Sequence, residues 1–292
     1  MKKLHVKGKS LILSSPDSSG FFSGKLIHTL VTGFFVFMFL LQQIQAQHWD
    51  VPYVPTPYEV VDEMLDVAGV GPGDYVIDLG SGDGRIVIAA SQLGAYGHGV
   101  DINPVRIREA RQNAKEAGLE DGVVFVEGNI FDTDISKANV ITMYLLSSVN
   151  LKLRPTLLKS LKPGSRVVSH DFDMNEWEPD KFVNLNGDRV YLWIIPANVQ
   201  GNWSWKAGGK DFYMAANQEF QEIQLNVSSG NTAFIAEDPV LSGERISFKA
   251  SHPSNGDIYL FSGHVDGNTI TGTVQIHNKN IKSVEEWIAT LE

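Results

Sequence analysis

The chain has 292 residues, no cysteine, and 34 acidic against 24 basic side chains, a formal charge of −10. The missing thiols exclude disulfides and thiolate metal centres. The acidic balance argues against nonspecific nucleic-acid binding, which works by neutralising phosphates with lysine and arginine, so no nucleic-acid partner is expected.

Residues 1–46 read as a targeting segment. Lys2, Lys3, Lys7, Lys9 and Lys25 precede a 12-residue apolar run, Leu30 to Leu41. That is short for a membrane span and suits the apolar stretch of an export signal. Ile44-Gln45-Ala46 offers a cleavage site ending on a small residue. A signal peptide is expected, with an uncleaved anchor as the alternative. Lysines on the N-terminal side export the remainder in either case. The expected location is periplasmic or secreted, or membrane-anchored, and membrane contact is expected only with an anchor. Without this segment five lysines and Asp17 are lost, leaving 19 basic and 33 acidic residues, net −14. Residues 47–197 and 198–292 then have enough chain for two modest cores.

Pro52, Pro55 and Pro57 make a stiff, extended lead-in. Thr56 as N-cap, Pro57 at the first helical position and Glu59 make a capping box. Val60, Val61, Met64, Leu65 and Ala68 share the buried face of that helix. Gly71-Pro72-Gly73 stops it. Next comes an apolar run, Tyr75-Val76-Ile77, ending in Asp78. Gly80, Gly82 and Gly84 follow at alternate positions, then Ile86 to Ala90. This is a buried parallel strand, a tight turn and a helix. The glycines admit a ligand close to the backbone, and the helix start offers free N–H groups.

A dinucleotide turn has the spacing G-x-G-x-x-G, and here Arg85 occupies the third glycine's place, which disfavours a nicotinamide oxidoreductase. Asp78 suits an ammonium-bearing ligand better than a pyrophosphate. Asp101, in His98-Gly99-Val100-Asp101, lies 23 positions after Asp78 at the end of the next strand. A carboxylate about 20 residues beyond a glycine loop is placed to accept bonds from ribose hydroxyls.

Asn103 and Pro104 open a second helix, which Gly118 stops. Val123 to Val126 is the third strand, followed by Gly128-Asn129. Val140 to Leu146 reads as the fourth strand, with Tyr144 near its end. A leucine-spaced helix over 151–161 and a strand over 166–169 come next. His170-Asp171-Phe172-Asp173 follows that strand, and a histidine beside carboxylates can act as a general base. No second histidine lies nearby in sequence, so no metal is expected. Arg189 to Ile195 closes the sheet.

Asp78 to Arg85, together with Asp101, resembles the first motifs of class I S-adenosylmethionine-dependent methyltransferases. Tyr53-Val54-Pro55-Thr56-Pro57, Tyr144-Leu145-Leu146-Ser147-Ser148-Val149 and Arg166-Val167-Val168-Ser169 are similar to the lysine methyltransferases of the ATP-synthase c-subunit and adenine nucleotide translocase, and to their bacterial relatives. The likeness covers roughly residues 50–180. It implies an α/β fold, a Rossmann-like sheet with helices on both faces. It further implies that S-adenosylmethionine is held by Asp78, Gly80, Gly82, Gly84 and Asp101, with Tyr53 and Thr56 lining the pocket. Many methyltransferases contact adenine through an aspartate after the third strand, and this chain has Asn129, whose carbonyl still accepts a bond. Tyr144 and His170 are the catalytic candidates.

From about residue 198 helical periodicity fades. Short alternating segments recur around Phe212, Leu225, Phe234, Ile246, Leu260 and Thr271, separated by turns such as Ser229-Gly230-Asn231 and Gly267-Asn268. This is a β-meander, a small barrel or sandwich. Trp203, Phe248, Phe261 and Trp287 make it similar to lipocalin-like modules. The leading reading is methyl transfer from S-adenosylmethionine to a protein lysine by in-line displacement, the acceptor being a protein or a small molecule. The alternatives are a small-molecule methyltransferase and an exported two-domain binding protein with an idle cofactor site.

Overall fold

The computed structural model describes residues 53–278 and 282–292. The expected targeting segment lies outside the described residues. Among the described residues no helix is long and apolar enough to cross a membrane. The chain builds a seven-stranded sheet and then a closed eight-stranded barrel.

The sheet half runs α1 (Tyr58–Val67), β1 (Tyr75–Leu79), α2 (Arg85–Gln92), β2 (Tyr96–Asp101), α3 (Pro104–Glu116), β3 (Val123–Glu127), β4 (Val140–Met143), α4 (Ser147–Ser160), β5 (Arg166–His170), β6 (Lys181–Leu185) and β7 (Asp188–Ile194). Its strand order is β3-β2-β1-β4-β5-β7-β6. β1 to β5 are mutually parallel, whereas β7 runs antiparallel to both β5 and β6. The apolar runs become strands because both faces are covered. Val76 and Ile77 on β1 are wholly buried, as are Val140, Ile141 and Met143 on β4. The helices supply the cover, α1 with Val60, Val61, Met64 and Leu65. The strand order reverses at β1, with β2 and β3 laid down on one side and β4 and β5 on the other. In such sheets that reversal opens a crevice beyond the carboxyl ends of the strands.

Three local expectations are corrected. Thr56 caps nothing. Pro57 is the N-cap, and its carbonyl accepts from the Val60 and Val61 N–H groups, while the Thr56 hydroxyl turns inward to His170. β4 ends at Met143, and the chain from Tyr144 to Leu146 is the loop into α4, which starts four residues before the expected 151. β6 is an added strand. The Asn186-Gly187 turn, with φ of 57° and 114°, folds it onto β7 as a hairpin. Asn-Gly between strand-like runs is a recognised hairpin signal.

The barrel follows as β8 (Gly201–Ala207), β9 (Lys210–Glu219), β10 (Glu222–Ser229), β11 (Thr232–Ser242), β12 (Arg245–Ser251), β13 (Ile258–Asp266), β14 (Thr269–His277) and β15 (Lys282–Leu291). Each strand pairs antiparallel with its successor, and β15 closes on β8 through Thr290–Ser204 and Leu291–Trp203. Alternate residues point inward, so Trp203, Trp205, Phe212, Phe248, Phe261 and Trp287 fill the interior. An eight-stranded barrel is about wide enough for side chains to fill it.

The barrel is seated on the sheet through Trp177, which is fully buried. Its Nε1–H donates to Gln221 Oε1 at 2.8 Å, and the Phe220 ring stacks on it at 5.7 Å. The Gln221 amide donates in turn to the Glu178 carbonyl at 2.7 Å. The described residues form one compact unit.

Candidate active site

Asp78 sits at the carboxyl end of β1, where the strand order reverses, and is 2% exposed. Its Oδ1 accepts from the Thr142 hydroxyl of β4 at 2.7 Å. No ion pair to it occurs among the described residues. Burial pushes its carboxyl up to about 7, the Thr142 bond opposing and the charges of Asp101 and Asp83 adding to the rise. A buried carboxylate with no cation is a receptor for one.

The glycine turn wraps beside it. Gly80, Gly82 and Gly84 have φ of 86°, 52° and 82°, which side chains resist. The Gly80 and Ser81 N–H groups donate to the Val100 carbonyl of β2 at 2.8 and 2.9 Å. Asp101 then bridges the turn to the next helix. Its Oδ2 accepts from Gly82 N–H at 2.9 Å and its Oδ1 from Asn103 N–H at 2.8 Å. Each oxygen keeps a lone pair for another donor. The Ser81 hydroxyl is buried beside this turn without a hydrogen-bond partner among the described residues.

Arg85 fastens the lead-in to the turn. Its Nη2 meets Asp83 Oδ2 at 2.6 Å and its Nη1 donates to the Thr56 carbonyl at 2.8 Å. Burial works against the Asp83 charge, but the Arg85 bonds outweigh it and hold the carboxyl below its usual range. Tyr53 lies on the turn itself. A Cβ at Gly82 would come within 2.4 Å of the Tyr53 ring, and the Arg106 guanidinium covers that ring at 4.1 Å. Asn129 faces its own chain. Its Oδ1 caps a short 3₁₀ turn through Phe131 N–H at 3.0 Å and its amide donates to Asp132 at 3.1 Å.

A second group gathers two strands along the same edge. Tyr144, just past β4, stacks on His170 at the end of β5, ring centroids 3.9 Å apart. The Thr56 hydroxyl lies 3.2 Å from His170 Nδ1. His170 Nε2 lies 3.6 Å from Asp171 Oδ2 and 3.5 Å from Asp188 Oδ1. Two carboxylates facing Nε2 place the ring proton there, so Nδ1 accepts from Thr56. Burial drives the His170 pKa down against the pull of Asp171 and Asp188, which leaves the ring neutral at pH 7.

Asp171 has φ of 61° within a three-residue turn in which Phe172 N–H donates to the His170 carbonyl at 2.8 Å. That is the rare, strained kind of γ-turn. Its Oδ1 accepts from Arg189 N–H at 3.0 Å. His170, Asp171 and Asp188 each bring a ligand-capable atom within 4.8 Å of the others. A search for a second histidine overlooks this cluster. Asp188 is 18 residues from His170 in sequence, and only the antiparallel return of β7 carries it to the edge.

Comparison with known proteins bears on what this edge does. Residues 78–181 match the ANTKMT methyltransferase domain model. A protein-lysine N-methyltransferase of Saccharolobus islandicus is 47% identical over 151 residues, 50% of this chain and 94% of that protein. The chain belongs to this methyltransferase family.

The mouse adenine nucleotide translocase lysine N-methyltransferase is 34% identical over 146 residues, 50% of this methyltransferase and 63% of the mouse protein. A solved Salinibacter ruber structure, described as an RNA methyltransferase with S-adenosyl-L-homocysteine, is 56% identical, with a TM-score of 0.49, covering 50% of this chain and 96% of that one. S-Adenosylmethionine is the methyl donor of the family. The residues that match the family model lie in the sheet half.

Proposed function

We propose that this methyltransferase modifies a lysine amine of a protein, and that the sheet edge just described is its active site. The observation that carries the reading is the buried, uncompensated Asp78 at the point where strand order reverses. A carboxylate there suits the cationic methionine end of S-adenosylmethionine, and Asp101 suits its ribose hydroxyls. Gly80 and Gly82 keep the turn's backbone free of Cβ atoms beside Leu145 and Tyr53, Gly84 lets the turn pack on Phe125 and Ala110, and Tyr53 and Thr56 bound the approach from the lead-in. Asn129 can receive an adenine amino group only through the second lone pair of Oδ1. The donor supplies an electrophilic methyl group on a sulfonium. The chain's own task is alignment of the acceptor, worth roughly 7–11 kcal/mol in effective-molarity terms. Tyr144 and His170 wall the acceptor side. With its basic Nδ1 covered by Thr56, His170 positions groups rather than removing protons.

The lysine names of the similar enzymes support the acceptor class, and the acidic surface supports a basic polypeptide over RNA. Export by residues 1–46 belongs to the same proposal. The test is methyl-labelled donor with the full chain, a panel of basic proteins, structured RNA and small amines, then acid hydrolysis and amino-acid analysis. Label in methyl-lysine supports the proposal. Label confined to RNA or small amines contradicts it. Cell fractionation checks the location, and recovery of the chain with residues 1–46 intact in the cytosol overturns export.

A further inference from the structure

We propose that Thr56 is a positioning residue of the methyl transfer, acting through His170 to set the ring of Tyr144 on the acceptor side. This deepens the reading of the sheet edge as the active site and rests on it. Thr56 is 3% exposed, and both its polar groups are committed to distant parts of the chain. Its carbonyl accepts from Arg85 Nη1, 29 residues on, at 2.8 Å. Its hydroxyl reaches His170 Nδ1, 114 residues on, at 3.2 Å. The side chain caps no helix, so local structure does not require a hydroxyl there. The carbonyl contact makes Thr56 a fixed point. Arg85 is itself held by Asp83, through Nε at 3.0 Å and Nη2 at 2.6 Å, and its guanidinium covers the Tyr58 ring at 4.8 Å. The Asp83 carbonyl accepts from Asn113 Nδ2 of α3 at 2.9 Å. The lead-in is therefore pinned to the glycine turn beside Asp78.

Tyr144 needs such a reference. It lies in the loop after β4, and among the described residues no hydrogen bond fixes its hydroxyl. Two rings set it, His170 with centroids 3.9 Å away and Phe172 at 5.9 Å. Phe172 is fixed from α4, where buried Asn150 donates to its carbonyl at 3.0 Å. His170 is 1% exposed, so no solvent bond can replace the one from Thr56. On its other side Nε2 has Asp171 and Asp188 at 3.6 and 3.5 Å. Those contacts are long, and the last torsion of a histidine is broad, so rotation of the ring is stopped at Nδ1. Methyl transfer makes the angle of these rings matter. The attacking nitrogen must lie in line with the bond between methyl carbon and sulfur, and a displacement of about 1 Å can cost on the order of 100-fold in rate. Thr56 refers the acceptor wall to the same fixed turn that borders the donor.

The test compares Thr56→Val, which removes the hydroxyl at nearly constant volume, with Thr56→Ser, which keeps it. NMR of labelled tyrosine and histidine rings is recorded on each full-length variant, Tyr144 being assigned by its absence in Tyr144→Phe. Transfer of a labelled methyl group to poly-L-lysine and S-adenosylhomocysteine affinity are measured on the same samples. We expect cross-relaxation between the Tyr144 and His170 rings to be lost in Thr56→Val and kept in Thr56→Ser. The kcat should fall about tenfold or more in Thr56→Val and recover in Thr56→Ser, with KM for S-adenosylmethionine and S-adenosylhomocysteine affinity within about twofold of wild type. Wild-type cross-relaxation in Thr56→Val overturns the proposal, as do altered rings with unchanged kcat or an equal loss in Thr56→Ser. A loss of S-adenosylhomocysteine affinity as large as the loss of rate also overturns it, because Thr56 then serves the donor alone. In the wild type, a His170 Nδ1 with the ¹⁵N signal of an unbonded imidazole nitrogen overturns it whether or not Thr56→Val folds. Poly-L-lysine left unlabelled by the wild type contradicts the lysine reading, and the ring signals then decide the positioning on their own.

Discussion

Asp78 makes the account testable at the scale of one carboxyl group. Its ordinary value is 3.8 and the folded value is about 7. A folded pKa above the unfolded one gives stability that is fully present below about pH 4 and is lost as pH rises through about 7. The shift amounts to on the order of 4 kcal/mol, an upper figure for a buried group. Asp78→Asn cannot ionise. The stability of that variant relative to wild type should therefore rise between pH 5 and pH 8, measured by urea unfolding without ligand. A pH-independent difference would contradict the assignment. A cation bound beside Asp78 favours the ionised form, so the thermal shift produced by S-adenosylmethionine should be larger at pH 8 than at pH 6. His170 works in the opposite sense. Its depressed pKa means stability present above about 6.5 and lost as pH falls through the folded value.

Among the elements, the turn between β1 and α2 leaves little room for change. Gly84 has φ of 82°, and a Cβ there would lie 2.6 Å from Phe125 Cζ on β3 and 2.9 Å from the Ala110 Cβ on α3. Gly84→Ala should cost about 2–4 kcal/mol, strain and overpacking together, seen as a lower urea midpoint with an unchanged slope. Loss of less than about 0.5 kcal/mol would mean that the turn yields easily. This stretch was also the most legible in the sequence, because β1, α2 and β2 follow local rules: apolar runs, a glycine turn and a carboxylate at each strand end. The capping box at Thr56 failed because a contact 114 residues away claims the hydroxyl. Asn186-Gly187 is the one local signal of β6, whose strand is only five residues long. β15 was hard to see for another reason. Val284 and Ile288 point outward and are 67% and 62% exposed, which blurs the alternation that Trp287 and Ala289 would otherwise display. The acidic pair at 171 and 188 was out of reach, since it exists only once β7 pairs with β5.

At the scale of the whole molecule, sheet and barrel meet around Trp177, and the barrel's Gly243 turn also lies against Gly164 and Ile194. Trp193 Nε1–H donates to the Trp177 carbonyl at 2.7 Å, so the joint continues into the sheet core. Trp177→Ala should destabilise the protein by about 3–5 kcal/mol and leave the Gln221 amide oxygen without its donor. Gln221→Ala should cost less on that background than alone, because the Trp177 bond is already gone and only its bond to the Glu178 carbonyl remains to lose, a double-mutant test by thermal unfolding. Additive losses would show that the barrel is seated elsewhere. That the C-terminal region forms an all-β unit was readable from its turns, whereas its closure into eight strands depends on β8 and β15 meeting at two residue pairs.

The most direct test of the central claim is the melting temperature of the full chain with and without S-adenosylmethionine, with Asp101→Ala as control. Ligand at 100 times Kd stabilises the native state by about 2.7 kcal/mol, a rise of roughly 5–10 °C for a protein of this size. The account predicts that rise in the wild type and its loss in Asp101→Ala, which removes the bridge to Gly82 N–H. No rise at saturating donor, or an equal rise in Asp101→Ala, would contradict it.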